Sequence, residues 1–356
     1  MNLLEISAHE FEKFESRSKY GNFFQSAERA AFRKNFGWDT YLLGLKDGDS
    51  LLAACELNIQ NGWALVQLGP ILDYKNEKLF DTFLDKLKKY CITKNVVSLE
   101  VYPPVVLNLR DSTGKITESF NLEPLKKIFK KLNFTYFGET TEISRVVNRW
   151  MVVKDLKNIH NKDELRASYK PSVRNKLRRF ESDLKVEKIT EKSDLPSLLL
   201  ALNDSDKKNG VVSRKLDYFE KIFDAFGKKA EFYVIKKRDD NAVVAGGLIT
   251  FHKNEVVDFT SGVVQKYKKY NGTTVFLDYA MQRAVEEHIP RFNFYGIEGT
   301  FEHNPLLEFK SGFRGVFVEE YLGGFEIIFD KKRYRLNHFK SSVFNFLRKI
   351  KYKIKS

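Results

Sequence analysis

Cysteine and long apolar runs are both scarce in this sequence of 356 residues. The two cysteines, Cys55 and Cys91, lie inside apolar stretches, so we expect buried free thiols in a reducing compartment. No window holds about 18 consecutive apolar residues, which excludes a membrane-spanning helix. The N-terminus carries acidic residues early and has no apolar core, unlike a secretory signal peptide. These absences predict a cytoplasmic protein.

Several motifs of catalytic sites are absent as well. The sequence has no Gly-x-Ser-x-Gly nucleophile elbow and no Walker loop for phosphate. The spacing of its histidines does not match that of metal ligands; they are His9, His160, His252, His288, His303 and His338. We therefore expect neither a metal nor a nucleotide cofactor.

Positive charge, in contrast, is abundant, and the formal net charge is +14. Such a surplus indicates an anionic partner, which is nucleic acid, anionic lipid or a phosphorylated substrate. A soluble protein with a basic surface remains the alternative. The length and the hydrophobic content of 42% suit one large domain or two ordinary ones, with two as the default expectation.

The first half of the chain shows a defined order of elements. Tyr41–Leu45 and Leu51–Leu57 are apolar runs on either side of turn residues, which predicts a hairpin. Trp63–Leu68 predicts a third strand, and the apolar residues between positions 79 and 87 have helical spacing. Val96–Val101 predicts a short buried strand that closes the unit.

The same order returns in the second half. Three strands are predicted at Glu231–Lys236, Ala242–His252 and Glu255–Ser261, followed by a helix over Thr273–Glu287 and a strand at Arg291–Tyr295. This is the core order of an N-acetyltransferase-like (GNAT) domain. Its double occurrence predicts an α/β (α+β) fold with two GNAT-like domains in tandem, and two unrelated α+β domains are the alternative.

We place the first domain at residues 1–152 plus 322–356 and the second at residues 153–321. A basic segment, Leu165–Ile189, lies near this boundary, and Pro171 is suited to opening a helix there. The predicted helix carries Arg174, Arg178, Arg179 and Lys185. These side chains form either a solvated surface or a surface that faces phosphate.

Neither half contains the loop with which GNAT enzymes bind acyl-CoA. That loop is glycine-rich and holds the pyrophosphate at a helix N-terminus. The corresponding segments are ILDYKNEKLF, which has no glycine, and QKYKKYNGTT, which has only Gly272. Acyl transfer from a carrier other than CoA is the interpretation that follows.

The most specific pattern lies between Phe292 and Phe325, with the sequence FNFYGIEGTFEHNPLLEFKSGFRGVFVEEYLGGF. A Gly-Ile turn, a Phe-Lys-x-Gly-Phe-x-Gly element and a Tyr-x-Gly exit from a strand follow one another. This order resembles the C-terminal signature of the FemABX peptidyltransferases. The segment NFFQSAERAAFRKNFGWD and the basic segment resemble two further parts of that family. The spacing from Arg214 to Phe232 leaves no room for the family's helical arm, so the chain resembles a short member.

The resemblance implies an aminoacyltransferase of cell-wall synthesis that builds the peptidoglycan interpeptide bridge. Such an enzyme transfers an amino acid from charged tRNA to the position-three side-chain amine of UDP-MurNAc-pentapeptide or lipid II. Aminoacyl-tRNA is then a co-substrate, no cofactor is expected, and we expect a monomer. A CoA-dependent N-acyltransferase and a non-catalytic RNA-binding protein are the alternatives.

Two adjacent residues are the predicted catalytic pair. By the resemblance, Lys310 lies where the tRNA end meets the acceptor, and it is suited to binding a phosphate or stabilising the oxyanion. Phe309 would stack on the terminal adenosine. A surface lysine beside a turn and a core phenylalanine are the alternatives.

Further residues are predicted to bind substrate. Arg214 and Tyr218 match an Arg-x-x-x-Tyr pair of the family and would share one helix face, where the arginine clasps a pyrophosphate. Arg33 matches a phosphate-binding lysine, and its neighbour Lys34 is an alternative match. A helix-surface cation is the alternative for Arg214.

Two positions depart from the family pattern. Tyr102 occupies the place of an acid before a proline, and Glu100 lies two residues earlier on the same strand face. Glu100 either replaces that acid or there is no protein base. Phe259 and Thr260 occupy the region where the family has an aromatic hydroxyl, so the acceptor contact there would be lost.

The C-terminal segment, Lys331–Ser356, has ten Lys or Arg and no acid, with apolar residues at helical spacing. It predicts a basic amphipathic helix. Three positions suit it: on anionic lipid at the inner face of the membrane, on tRNA, or packed against the first domain.

Overall fold

The computed structural model describes residues 1–138, 148–337 and 339, and these form two sheets flanked by helices. The first half comprises β1 (Asn2–Glu5), α1 (Ala8–Glu15), α2 (Ala27–Lys34), β2 (Asp39–Asp47), β3 (Ser50–Gln60), β4 (Trp63–Val66), α3 (Glu77–Thr93), β5 (Ser98–Val101), β6 (Val106–Arg110), β7 (Ile116–Ser119), α4 (Glu123–Lys131) and β8 (Thr135–Tyr136).

The second half begins with β9 (Trp150–Asp155), α5 (Lys162–Ala167), α6 (Pro171–Phe180), β10 (Leu184–Ile189), α7 (Leu195–Lys208) and α8 (Leu216–Phe226). It continues with β11 (Ala230–Lys237), β12 (Val243–His252), β13 (Glu255–Val263), α9 (Gly272–Glu286), β14 (Arg291–Ile297), α10 (Pro305–Lys310), β15 (Val316–Tyr321) and β16 (Phe325–Ile328). Every strand and helix predicted for the two repeats is present, and the predicted fold class is confirmed.

The first sheet has the strand order β1-β2-β3-β4-β5-β16-β8. Its pairs are antiparallel except for β4 with β5, which are parallel. Helix α3 covers one face and begins at Asn76, whose side chain accepts a hydrogen bond from the Leu79 N–H. Its apolar residues pack into the first hydrophobic core together with both cysteines, which are free thiols.

The second sheet has the order β10-β11-β12-β13-β14-β9-β15-β6-β7. Helix α9 packs against β11, β12 and β13 of this sheet. A Cβ on Gly272, the first residue of α9, would lie 2.6 Å from the Ala245 Cβ. This glycine therefore allows close packing of helix on sheet.

The two halves exchange strands. β6 and β7 come from the first half but pair in the second sheet, next to β15. β16 follows β15 directly and returns to the first sheet, between β5 and β8. The division into residues 1–152 plus 322–356 and residues 153–321 stays a prediction.

A further hydrophobic core joins the two halves. Phe23 and Phe32 from the first half pack with Phe226 from the second, at ring-centroid distances of 5.1 and 5.7 Å. A buried polar contact also joins the halves, since the His252 Nε2 is 2.6 Å from the Glu15 Oε1. Apolar packing and a polar contact therefore both hold the two halves together.

The basic segment is only partly helical. Helix α6 ends at Phe180, and Lys185 lies in β10, so the prediction of Lys185 on the helix is wrong. Phe180, the last residue of α6, and Leu184, the first residue of β10, are both buried. A tight turn joins them, and the side chains after Leu184 alternate between the two faces of the sheet. Arg174 donates to the carbonyls of Ala167 and Tyr169, each at 3.0 Å. Its guanidinium therefore holds the preceding turn.

No helix in the described ranges is long and apolar enough to cross a membrane. Residues 331–337 of the basic C-terminal segment are helical. The remainder of the predicted amphipathic helix lies outside the described residues, apart from Phe339.

Candidate active site

A notch opens between two parallel strands of the second sheet. β13 and β14 pair only at Val256↔Phe292 and Val257↔Asn293, although both strands continue beyond these pairs. In the continuing part of β14, the carbonyls of Tyr295 and Gly296 accept hydrogen bonds from the Lys310 Nζ at 3.3 and 2.9 Å. The predicted catalytic lysine thus binds backbone groups at the open end of this strand pair.

Helix α10 carries Lys310 into the notch. Its N-cap is Asn304, whose side chain accepts from the Leu307 N–H at 3.0 Å and donates to two loop carbonyls. Lys310 is the last residue of the helix, and its side chain is 5% exposed. It is not a surface lysine beside a turn.

The turn after α10 is held by a second buried lysine. Lys154 of β9 donates from its Nζ to the carbonyls of Phe313 and Arg314 at 3.1 and 2.9 Å. Arg314 and Gly315 have positive φ angles of 48° and 58°. Lys154 therefore fixes a backbone reversal that few residues adopt unaided, directly after the helix with Lys310.

The charge on Lys310 faces a buried carboxylate. Asp258 of β13 is 8% exposed, and its Oδ2 accepts from the Ser261 hydroxyl at 3.1 Å. Burial lowers the pKa of Lys310 and raises the pKa of Asp258, and the attraction between the two charges opposes both shifts. The notch therefore holds two buried groups of opposite charge, each of which favours the ionised form of the other.

Phe309, the second predicted catalytic residue, packs against the edge of the second hydrophobic core. Its half-buried ring contacts the Phe313 ring edge-on at 6.0 Å, at the border of the second hydrophobic core. This is the core contact named as the alternative. A stacking role on adenosine stays a prediction.

A cluster of arginines and tyrosines lies next to the notch. We call Arg29, Arg33, Arg214, Tyr218 and Tyr295 the cationic cluster. Burial raises the pKa of the Tyr295 hydroxyl, while the three arginines oppose this shift through their positive charge. The same Tyr295 supplies a carbonyl to Lys310. Tyr295 therefore belongs to the cluster through its side chain and to the notch through its carbonyl.

Arg214 and Tyr218 are brought together, but not on one helix. Helix α8 begins at Leu216 after the N-cap Lys215, so Arg214 precedes it and the prediction of a shared helix face is wrong. The guanidinium of Arg214 lies 5.0 Å from the centre of the Tyr218 ring, within the range of a cation–π contact. In the described part of the chain Arg214 has no ion-pair partner, and it is exposed.

Arg33 is buried, whereas its neighbour Lys34 is exposed. The Arg33 guanidinium donates to the Gln67 Oε1 at 2.5 Å and lies 3.8 Å from the Glu56 carboxylate. Burial, with a smaller contribution from Arg29, lowers the pKa of Arg33 to about 10, although Glu56 opposes the shift. Arg33 is the one of these two residues that points into the cluster.

Glu56 lies on β3 and is fully buried. Burial raises its pKa to about 7, although the positive charges of Arg33 and Arg29 oppose the shift. The cationic cluster thus combines three arginines with one weakly ionised carboxylate. Such a set retains positive charge that suits phosphate.

Glu100 lies on β5, in the first sheet. It is fully buried and accepts a hydrogen bond from the Tyr102 hydroxyl at 2.7 Å. The two side chains share one strand face, as predicted. A role of Glu100 in binding the acceptor or as a base stays a prediction.

Tyr295, Asp258, Arg29 and Glu56 were not recognised from the sequence. Tyr295 is the most informative of them, because its ring lies 6.5 Å from the Phe259 ring. β14 thereby supplies an aromatic hydroxyl near the place on β13 where the family pattern is missing one. The feature of the sequence that could have identified Tyr295 is its position directly before Gly296, near the end of β14.

A separate groove of about 1060 Å³ lies between the two halves. It is lined by residues that include Tyr20, Tyr74, His252 and Arg291, and by none of the predicted site residues. The described residues contain no group of three His, Cys, Asp or Glu side chains suited to a metal ion.

Residues 6–237 and 233–341 match the FemAB family. The chain belongs to the FemAB family. Aminoacyltransferase FemB of Staphylococcus epidermidis (strain ATCC 12228 / FDA PCI 1200) is 24% identical over 428 residues, which cover 100% of both chains. Aminoacyltransferase FemA of Staphylococcus aureus (strain bovine RF122 / ET3-1) is 22% identical over 398 residues, which cover 91% of this chain and 94% of FemA.

Solved structures agree with this assignment at the level of the fold. The crystal structure of FemX has a TM-score of 0.79 at 16% identity, covering 94% of this chain and 99% of FemX. A tandem GNAT protein from the clavulanic acid biosynthesis pathway has a TM-score of 0.57 at 9% identity, covering 92% and 98%. The predicted FemABX membership and the predicted enzyme class, an aminoacyltransferase, are confirmed.

Proposed function

We propose that this FemAB family member transfers an amino acid from charged tRNA to the side-chain amine at position three of a peptidoglycan precursor. The acceptor is UDP-MurNAc-pentapeptide or lipid II, and aminoacyl-tRNA is the co-substrate. The observation that carries the proposal is the cationic cluster next to Lys310. Both substrates carry phosphates, and the reaction builds negative charge on an ester oxygen.

The cationic cluster supplies the phosphate contacts. Arg214 is exposed, and its guanidinium is free of ion pairs with the described residues, so it is available for a bidentate contact with a pyrophosphate. Arg29 and Arg33 lie deeper and repel each other, which favours a bound anion between them and Arg214. Tyr218 and Tyr295 add hydroxyls at the same place.

Lys310 supplies the charge next to the reacting ester. When the acceptor amine attacks the ester carbonyl, the oxyanion needs a cation or N–H donors that are already in place. The Lys310 Nζ is held by two carbonyls, and the charge of Asp258 favours its ionised form, so little reorganisation is needed to orient it. The amine gains the acyl group and loses a proton, and the ribose oxygen of the tRNA leaves with a proton.

A transfer assay tests the proposal. Purified protein is incubated with a set of tRNAs charged with radiolabelled amino acids, and UDP-MurNAc-pentapeptide and lipid II are offered separately. We expect label in one of the two acceptors, and no product with acetyl-CoA as donor. Binding of uncharged tRNA as tight as that of charged tRNA, with no labelled product, would contradict the proposal and favour an RNA-binding protein.

Matched variants test the site. Arg214→Met removes the proposed pyrophosphate contact, and we expect kcat/KM for the acceptor to fall about 10- to 100-fold, which is the cost of one charged hydrogen bond. Lys215→Met changes the adjacent exposed lysine and should retain near-normal kcat/KM. Lys310→Met should lower kcat strongly in a protein that still unfolds cooperatively. Equal kcat/KM for both Arg214→Met and Lys215→Met would remove Arg214 from the site.

A further inference from the structure

The notch presents a counter-ion arrangement that the proposed reaction does not use directly. Lys310 has three donors, and two of them are taken by the carbonyls of Tyr295 and Gly296. A buried ammonium held by neutral carbonyls alone is unstable in its charged form. The group that supplies the opposite charge is Asp258, on the strand across the notch.

Asp258 is placed for this task by the divergence of the two strands. It lies one residue beyond the last β13–β14 pair, where β14 turns away. Its Oδ2 is bound by Ser261, whereas its Oδ1 is buried and lacks a hydrogen-bond partner among the described residues. An unpartnered carboxylate oxygen at this depth is costly unless a positive charge is close.

Among the described residues, Lys310 on α10 is the ionised group whose charge lowers the pKa of Asp258. On the neighbouring strand β12, Asp258 is paired with Ile249, which is apolar. On the packed helices, Asp204 of α7 accepts a backbone N–H, and Asp278 of α9 is held in an ion pair with α5. The charge of Lys310 and the charge of Asp258 therefore depend on each other.

We propose that Asp258 is the positioning residue that keeps Lys310 charged in the notch and thereby sets the upper pH limit of the transferase. The inference rests on the proposed function, because the charge of Lys310 matters only if it stabilises the reacting ester. Asp258 acts through Lys310 and does not contact substrate.

The test is the pH dependence of Asp258→Asn. The ratio of its kcat/KM to that of the wild type is measured from about pH 6 to pH 10, because the ionisation of the acceptor amine cancels in this ratio. We expect the variant to lose activity about 1–3 pH units earlier than the wild type, the effect of removing one adjacent opposite charge. The ratio should fall about tenfold per pH unit in that window and rise towards one at the acid end, where protonation of Asp258 begins to remove its charge from the wild type as well.

Three other outcomes would overturn the proposal. A ratio that rises with pH identifies Asp258 as a proton acceptor, because an acceptor becomes dispensable when the substrate amine deprotonates unaided. A ratio that is independent of pH indicates a structural role only. A fall of the ratio at alkaline pH as large as that of Asp258→Asn in the control variant Ser261→Ala, which keeps the carboxylate and removes its hydroxyl partner, would show that the charge is not the cause.

A second measurement does not depend on the substrates. If the two charges form a pair, Asp258→Asn destabilises the wild type more than it destabilises Lys310→Met in urea unfolding. Additive effects would contradict the inference even if transfer is observed. A wild type without activity towards any charged tRNA, combined with non-additive unfolding, would contradict the proposed function and leave the coupling of the two charges established.

Discussion

Lys154 offers the sharpest test of how the fold holds the site. Its side chain is 2% exposed, and its Nζ donates to the Ser168 hydroxyl at 3.1 Å and to the carbonyls of Phe313 and Arg314 at 3.1 and 2.9 Å. Lys154→Met keeps most of the volume but leaves the buried Phe313 carbonyl and the partly buried Arg314 carbonyl without this donor. An unsatisfied buried acceptor costs about 1–3 kcal/mol and a partly buried one less, so the free energy of unfolding should fall by roughly 1–4 kcal/mol.

The stability difference between the wild type and Lys154→Met should also change with pH in a defined direction. Burial lowers the pKa of Lys154 to about 8, with Asp155 opposing the shift, whereas an unfolded lysine titrates near about 10.4. Between these values the unfolded chain binds more protons than the folded one, so the stability of the wild type rises with pH. Lys154→Met lacks this gain, and the stability gap between wild type and variant should widen by up to about 1.4 kcal/mol per pH unit.

Urea unfolding at a series of pH values measures both effects. The control is Lys157→Met, which changes a lysine whose side chain is 70% exposed, in the segment after the same strand, and should alter stability by less than about 0.5 kcal/mol. Lys154→Met should also reduce transfer, because the turn that follows Lys310 loses its anchor. A variant as stable as the control, or a gap that narrows with rising pH, would refute the reasoning.

Two further predictions concern buried groups away from the notch. Asp278→Asn should lower the free energy of unfolding by about 2–4 kcal/mol, because this carboxylate is 2% exposed and accepts from Arg166 and Tyr169; urea unfolding measures the loss, and the exposed change Glu286→Gln is the control. Cys55 and Cys91 should resist a thiol reagent at pH 8 and both react after denaturation, since burial raises the pKa of Cys55 well above its usual range and that of Cys91 to about 12. Rapid labelling of the native protein would show that these thiols are accessible.

Local patterns in the sequence determined the elements of this protein. The apolar alternation of β11 and β12 and the helical spacing in α3 and α9 depend on residues close together in the chain, so they were visible without a structure. The repeated order of these elements predicted two GNAT-like units. The segment around Lys310 indicated the family before any comparison, because its glycines and aromatics keep a fixed order.

Tertiary structure alone decided the strand exchange. The pairing of Val318 with Arg110 joins residues more than half the chain apart, and no local pattern announces it. The predicted division already assigned β16 to the first domain, but internal symmetry could not show that β6 and β7 pair in the second sheet.

The electrostatics of the site likewise depended on the assembled fold. The sequence does not show whether a lysine or an aspartate is solvated or buried, and its pKa and its partners depend on its neighbours in the folded structure. For this reason Lys310 was recognised and Asp258 was not. Arg214 was placed on a helix that begins two residues later, since helix ends are set by caps and packing as much as by periodicity. The sequence determined which residues form each strand and helix; packing the two halves determined which charges meet.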